Sequence, residues 1–163
     1  MVIRRVRATD APALLAFYRG LSAESLRTFR PLGPSPALNP FLQIVRDNEP
    51  QVDAKFDLVA LDSEVCGWSF LWDLKSGTPT FGLAVADARH GRGIGGRLMD
   101  LVLSAARERK LHRVELIVVQ GNATALAMYE RRGFVRTGEF KGEDGLDYFR
   151  MAADLTTPRD GAQ

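Results

Sequence analysis

Cysteine, histidine and long hydrophobic runs are scarce in this chain of 163 residues. A single cysteine, Cys66, excludes a disulfide framework, and two isolated histidines beside it do not suggest a metal site. No apolar run approaches the roughly eighteen residues of a membrane-spanning helix, and no apolar signal segment begins the sequence. A net charge of +2 is too small to indicate nucleic-acid binding. We therefore expect a cytoplasmic protein with no metal, membrane or nucleic-acid partner.

The rest of the composition is that of an ordinary globular protein. Hydrophobic residues make up 45% of the chain and charged residues 26%, as in typical soluble domains. A chain of this length can bury a core without crosslinks, so we expect one domain over residues 1–155. The polar stretch 156–163 is predicted to be a disordered tail. Cys66 lies in an apolar strand pattern and is expected to be a buried structural thiol rather than a nucleophile.

The most informative stretch runs from Phe81 to Phe134. Residues 81–86 form a short apolar run typical of a buried strand, and apolar residues then recur at helical spacing over 94–106. Four glycines stand at the junction: Gly91, Gly93, Gly95 and Gly96. A glycine-rich turn at a helix N-terminus leaves backbone N–H groups free for a phosphate or diphosphate. We predict anion binding here; a tight turn that uses glycine only for its geometry is the alternative.

Two common phosphate-binding motifs fit this stretch less well. Gly91, Gly93 and Gly96 match the pattern G-x-G-x-x-G, and Glu115 follows about twenty residues later. That motif should begin where the strand ends, but residues 86–90 intervene, and its acidic residue belongs at the end of a strand. A P-loop is excluded because no Gly-Lys-Ser/Thr follows the glycines. A dinucleotide-binding domain is therefore disfavoured.

The stretch resembles the acyl-CoA-binding core of the GNAT superfamily of N-acetyltransferases. The family's turn, Gln/Arg-x-x-Gly-x-Gly/Ala, is matched by His90, Gly93 and Gly95, with histidine in place of the usual first residue. The family's second motif is Asn-x-x-Ala followed by Tyr and Gly-Phe. It is matched by Asn122, Ala125, Tyr129, Gly133 and Phe134.

This resemblance implies both a fold and an activity. The fold is an α/β (α+β) arrangement: a mixed, mostly antiparallel twisted sheet of six to seven strands, helices on both faces, and two splayed central strands. The activity is transfer of an acetyl group from acetyl-CoA to a primary amine on a small molecule, peptide or protein, without a metal. A non-catalytic acyl-CoA-binding regulatory module is the alternative, and a homodimer is a further expectation.

The resemblance also implies roles for individual residues. The pantetheine arm of coenzyme A would pair with the fourth strand at Leu83, Ala84 and Val85. Asn122, a helix cap by its position, would also contact that arm, and Tyr129 would both bind the cofactor and donate a proton to the departing thiolate. The remaining cofactor contacts would come from the glycine turn, at His90, Gly91, Arg92, Gly93, Ile94, Gly95 and Gly96.

The general base is left open by the sequence. A lysine-like amine must lose a proton before it attacks, which costs roughly 4–5 kcal/mol at neutral pH. Asp73 and Glu115 are the candidate carboxylates. His112 is expected to be exposed in a loop, His90 lies too close to the phosphates, and Arg97 is as plausible a phosphate ligand as it is a solvated residue.

The acceptor side is indicated only weakly. Residues 21–29 resemble a segment of some GNAT enzymes that modify proteins, so Phe29, Arg30 and the following proline-rich loop are candidate specificity elements. That loop, with prolines at 31, 34, 36 and 40, is predicted to lack regular structure. Trp68, Phe70 and Trp72 alternate along a predicted strand and should share one face, with Trp72 nearest the cleft.

Overall fold

The computed structural model describes residues 1–29, 31–33 and 35–156. These residues form one seven-stranded sheet with helices packed on both faces. The strands are β1 (Val2–Arg5), β2 (Phe56–Asp62), β3 (Glu64–Trp72), β4 (Thr80–Val85), β5 (Arg113–Val119), β6 (Val135–Lys141) and β7 (Asp147–Asp154). The α-helices are α1 (Ala11–Arg19), α2 (Ala23–Thr28), α3 (Asn39–Asp47), α4 (Ile94–Glu108) and α5 (Ala123–Glu130). The predicted fold class is confirmed.

The strand order is β1-β2-β3-β4-β5-β7-β6, and every neighbouring pair is antiparallel except β4 and β5. These two parallel strands are joined by the helical crossover α4, as parallel neighbours require. They pair at one position only, Thr80 with Glu115. Beyond it β4 continues to pair with β3, and β5 with β7. The centre of the sheet is therefore splayed.

The sheet separates two hydrophobic cores because side chains alternate between the faces of a strand. Leu71 faces the core that α4 covers, whereas Trp68 and Phe70 face the core covered by α1 and α3. Cys66 also faces the first core, although it stands two residues from Trp68, because the register of β2 and β3 shifts between Ala60 and Leu61. Trp72 is partly buried against the second core, so the predicted common face of these three rings is confirmed. Cys66 is 2% exposed, and its thiol donates to a backbone carbonyl. This placement supports a structural role.

One boundary differs from prediction. Pro40 is not in irregular structure but in the first turn of α3, where proline fits because its missing N–H would have no helical partner there. Near the N-terminus, a short 3₁₀ helix at residues 8–10 leads from β1 into α1. Arg30, Pro34 and residues 157–163 of the predicted tail lie outside the described residues.

None of the helices in the described parts of the chain is both long and apolar enough to cross a membrane.

Candidate active site

The splay exposes the backbone of β4 in a regular way. The N–H of Ala86 donates to the carbonyl of Cys66 in β3, at 2.8 Å. Because backbone groups alternate in direction along a strand, those of Ala84 also face β3, while those of Leu83 and Val85 point into the gap. Of the three predicted backbone contacts, Leu83 and Val85 therefore face the gap, whereas the backbone groups of Ala84 pair with β3.

His90 shares this edge. Its Nε2 lies 2.8 Å from the carbonyl oxygen of Val85 and 3.8 Å from a carboxylate oxygen of Asp87. The imidazole thus occupies the carbonyl oxygen of Val85, while the N–H of Val85 still points into the gap. His90 lies beside the glycine turn, as predicted, but its ring contacts the protein's own backbone.

The glycine turn has the geometry of an anion cradle. Gly91 and Gly93 have positive φ angles of 77° and 79°, which glycine adopts far more readily than other residues. The first backbone bond into α4 is from the N–H of Arg97 to the carbonyl of Gly93, at 3.1 Å. Among the described residues, no acceptor is found for the N–H groups of residues 91–96. Six consecutive donors at the positive end of a 15-residue helix favour an anion.

These features line a cleft of about 950 Å³, which we call the turn cleft. Of the twelve predicted cofactor contacts, Arg92 alone is absent from its described lining. The eleven present are Leu83, Ala84, Val85, His90, Gly91, Gly93, Ile94, Gly95, Gly96, Asn122 and Tyr129. The side chain of Asn122 accepts from the N–H of Ala125 at 3.2 Å, so its predicted role as the cap of α5 is confirmed.

Basic residues on the turn cleft were only partly anticipated from the sequence. Arg97 is a candidate phosphate ligand that the sequence indicates, and Arg89, Arg131 and Arg132 also contribute to the lining. Arg132 binds Asp100 at 2.7 Å, whereas Arg97 and Arg131 make no ion pair with any described residue. The sequence signal for these basic residues is the Arg-Arg pair directly after α5, which begins two residues beyond Tyr129.

Tyr129 lies where the turn cleft meets a second one. Its ring is 8% exposed and packs edge-on against Phe81 at 6.0 Å. Burial raises the pKa of Tyr129 to about 12. No described residue hydrogen-bonds to its hydroxyl, which suits a group that must meet a ligand. A neutral phenol is thus available at the junction across the physiological pH range.

The second cleft, of about 830 Å³, shares Tyr129, Leu83, Ile117 and Phe29 with the first. We call it the aromatic cleft because seven of its described lining residues are aromatic. These are Phe29, Phe70, Trp72, Phe81, Tyr129, Phe140 and Tyr148. Trp72 lines this cleft as predicted, and Phe29 lines it as well, while the role of Phe29 in specificity stays a prediction. The contribution of the β6–β7 hairpin was missed, because only the tertiary fold brings it opposite β3.

The absence of a side chain at Gly82 makes room for the ring of Phe70, which forms part of one wall of the aromatic cleft. A Cβ at this position would lie 2.1–2.6 Å from three ring atoms of Phe70. We expect Gly82→Ala to push that ring aside and to lower the free energy of unfolding by about 1–3 kcal/mol, measured by urea denaturation. The matched control is Gly138→Ala in β6, where a Cβ would meet only Arg150, at 3.8 Å. Equal stability of the two variants would contradict this packing.

A buried carboxylate lies behind the same wall and positions one of its rings. Asp57 is fully buried and accepts from the indole N–H of Trp68 at 2.7 Å and of Trp72 at 3.2 Å. The side-chain amide of Asn48 donates to it at 2.8 Å. Desolvation raises the pKa of Asp57 to about 6 although these donors oppose the rise. The carboxylate holds both indoles in place and thereby fixes Trp72 at the aromatic cleft.

This raised pKa predicts an unusual pH dependence of stability. A carboxyl group whose pKa rises on folding binds a proton more tightly in the folded state. Its contribution therefore stabilises the protein as pH falls from above 6 towards 3.8, the ordinary value, by up to about 3 kcal/mol. We expect to see this effect as a difference between two proteins: the free energy of unfolding of the wild type, minus that of Asp57→Asn, should rise as pH falls from 7 to 4. Urea denaturation at each pH measures both values. A difference that stays flat with pH would contradict it.

The candidate bases lie elsewhere. Asp73 is exposed in the turn after β3 and borders a small depression with Lys55 and Asp47. Glu115 is exposed and binds Arg113 at 3.1 Å. Within the described residues, neither lines the turn cleft or the aromatic cleft, and His112 is exposed as predicted. The structure therefore does not support Asp73 or Glu115 as the general base.

No group of three or more histidine, cysteine or acidic side chains that could hold a metal ion occurs within residues 1–29, 31–33 and 35–156.

Comparisons with known proteins agree with this geometry. Among curated proteins, the chain is 37% identical over 99 residues to a mycothiol acetyltransferase from Salinispora arenicola, covering 56% of this chain and 32% of that protein. It is 30% identical over 89 residues to an L-methionine sulfoximine/L-methionine sulfone acetyltransferase from Pseudomonas aeruginosa, covering 50% and 52%. The chain thus spans between a third and about half of these relatives.

Solved structures extend the likeness to nearly the whole chain. A ribosomal-protein-alanine N-acetyltransferase from Brucella melitensis superimposes with a TM-score of 0.78 at 26% identity, covering 94% of this chain and 99% of that one. A putative acetyltransferase from Salmonella typhimurium with its cofactor acetyl-CoA has a TM-score of 0.78 at 21% identity, covering 95% and 94%, which supports the fold alone.

The family assignment rests on residues 18–134, which match the model of the acetyltransferase (GNAT) family and include the gap, the glycine turn and Tyr129. Since that match spans more than half of the sequence, the chain belongs to the acetyltransferase (GNAT) family.

Proposed function

We propose that the protein transfers an acetyl group from acetyl-CoA to a primary amine. The single observation that carries this proposal is the meeting of two clefts at Tyr129. One cleft offers an anion cradle and an unpaired strand edge, and the other offers an apolar chamber. A thioester held in the first and an amine held in the second would come together beside the gap.

The described residues fit the donor. The N–H groups of residues 91–96 would hold its diphosphate, and Arg97 or Arg131 would hold a further phosphate. The backbone of Leu83 and Val85 would pair with the amides of the pantetheine arm, as an added strand pairs with a sheet edge. Gly95 lies beside this edge, since a Cβ there would be 3.5 Å from the side chain of Leu83, an ordinary contact. Packing within the protein therefore does not require glycine at this position, and we attribute the glycine to close approach of the ligand.

The chemistry would need no covalent enzyme intermediate. When bound, acetyl-CoA supplies an activated carbonyl and a thiolate leaving group. The neutral amine attacks the carbonyl carbon; the C–N bond forms, the C–S bond breaks, the nitrogen loses one proton and the sulfur gains one. The N–H of Leu83, which faces the gap where the two clefts meet, would stabilise the negative charge on the carbonyl oxygen, and the N–H of Val85 would be left to the pantetheine arm.

Tyr129 would act on the leaving group. A pKa of about 12 keeps its hydroxyl protonated, and the hydroxyl would donate a hydrogen bond to sulfur as negative charge develops there. Complete transfer from so weak an acid to a thiolate, whose conjugate thiol has a pKa of about 8.5, is uphill. We therefore propose that Tyr129 stabilises the developing charge by a hydrogen bond, that the thiolate takes its proton from water as it leaves, and that the proton lost by the nitrogen passes to water.

Two measurements test this function. Calorimetry should detect binding of acetyl-CoA and coenzyme A but not of NAD. Release of free thiol from acetyl-CoA should depend on added amine across a panel of amino acids, polyamines, aminoglycosides and peptides. Binding of acetyl-CoA without release by any amine would instead favour the non-catalytic module.

Other expectations remain predictions. They are a single domain over residues 1–155, a cytoplasmic location, a homodimer and the absence of nucleic-acid partners. Sedimentation of the purified chain would test the homodimer.

A further inference from the structure

The walls of the aromatic cleft are rings held in fixed positions. Phe70 and Trp72 stack with centroids 4.0 Å apart and an interplanar angle of 16°, and on the hairpin Phe140 and Tyr148 stack at 5.1 Å and 11°. The indole of Trp72 is also tied to the buried carboxylate of Asp57. Rings that are already ordered lose little conformational entropy when a ligand packs on them.

Charged groups are few in this lining. Arg27 is the one described cation, and Glu143 and Asp144 are the described acids. Asp144 already accepts from the N–H of Leu146 at 3.0 Å and from the hydroxyl of Tyr148. The lining thus holds two acids and one cation, a surplus of one negative charge, which suits a single ammonium group. A ligand with several ammonium groups would find little to offset the desolvation of the others.

The reacting end of an acceptor is defined by the junction of the clefts. Its amine must reach the gap beside Tyr129 and Leu83, which line both clefts. The rest of the molecule then occupies about 830 Å³ between the two stacked ring pairs, a volume typical of small-molecule sites. Aromatic rings prefer offset or edge-to-face neighbours, which these walls supply.

We infer that the acceptor is a primary amine carried on a flat, apolar group, as in an arylalkylamine, rather than a polyamine or a small hydrophilic amine. This inference rests on the proposed function, because the aromatic cleft receives an acceptor only if transfer occurs at Tyr129. The nitrogen of the amine would lie at the junction. Its ring would pack against the edges of Trp72 and Phe140, because the faces of these two rings are already covered, by Phe70 and Lys55 and by Tyr148 and Arg150.

The test compares three amines of similar basicity as acceptors: 2-phenylethylamine, ethanolamine and spermidine. We expect kcat/KM for 2-phenylethylamine to exceed that for each of the others by about 10- to 100-fold, the factor typical of burying one aromatic side chain. A ratio near one, or a preference for ethanolamine or spermidine, overturns this inference alone. Thiol release with none of the three, despite acetyl-CoA binding, overturns this inference and counts against the proposed function.

Variants then locate the preference. Trp72→Leu should lower the ratio of kcat/KM for 2-phenylethylamine to that for ethanolamine by about fivefold or more, with acetyl-CoA affinity unchanged. Phe140→Leu, on the opposite wall, should do the same if Trp72→Leu folds poorly. The matched control is Phe56→Leu, which removes a ring outside both clefts, where it packs under Arg5 and Arg109. A ratio unchanged in Trp72→Leu and Phe140→Leu overturns the placement of the ring.

Discussion

Gly93→Glu is expected to abolish acetyl-CoA binding, with an affinity loss of at least about 100-fold by calorimetry. Gly93 begins α4 with a φ of +79°, so any side chain there strains the backbone of the cradle. A carboxylate would also stand among the N–H groups proposed to bind the diphosphate, and like charges in a desolvated site repel strongly.

The control for this variant separates strain from charge repulsion. Gly77→Glu introduces the same side chain at a φ of +81°, in the turn before β4, where a Cβ also meets no atom within 4 Å. It should lose similar stability but keep acetyl-CoA affinity, because Gly77 lines neither cleft. If Gly93→Glu bound acetyl-CoA as tightly as Gly77→Glu, the glycine turn would be merely structural.

Tyr129→Phe is expected to slow turnover by about 100-fold, near the lower end of the range for loss of a proton-donating group. The lower end applies because a hydroxyl with a pKa of about 12 is a weak acid. The ring and its packing against Phe81 and Phe134 are preserved, so acetyl-CoA affinity and folding stability should change little. Steady-state thiol release and calorimetry measure the two quantities separately.

Tyr18→Phe is the matched control for the hydroxyl. Tyr18 is 1% exposed, lines neither cleft, and donates to the carbonyl of Gly33. Its phenylalanine variant should lose stability while retaining kcat. A Tyr129→Phe enzyme with full activity would remove this hydroxyl from the mechanism.

The turn cleft could be predicted well because its parts are local in sequence. The strand, the glycine turn and α4 are consecutive, and the positive φ angles of Gly91 and Gly93 are ones that glycine adopts without strain. Asn122 caps α5 through a bond to a residue only three positions away. Such short-range geometry is largely independent of the rest of the fold.

The aromatic cleft was predicted poorly because it depends on distant segments, and the general base stays an open prediction. The wall at Phe140 and Tyr148 faces Phe70 only through the placement of the last hairpin beside β5. Asp73 and Glu115 were chosen as carboxylates near the right strands, yet neither side chain lines a cleft. Side-chain direction at strand ends is set by turns and register, which composition does not encode.

By itself, the sequence determined the glycine turn, the helix that follows it and the family, because these depend on glycine conformation, capping and spacing within one continuous stretch. Only the tertiary structure decided that β4 and β5 part after Thr80 and that two clefts meet at Tyr129. It also decided that Asp57 is buried under two indoles. These features arise from contacts between segments far apart in the chain, whose geometry is settled by the packing of the whole sheet.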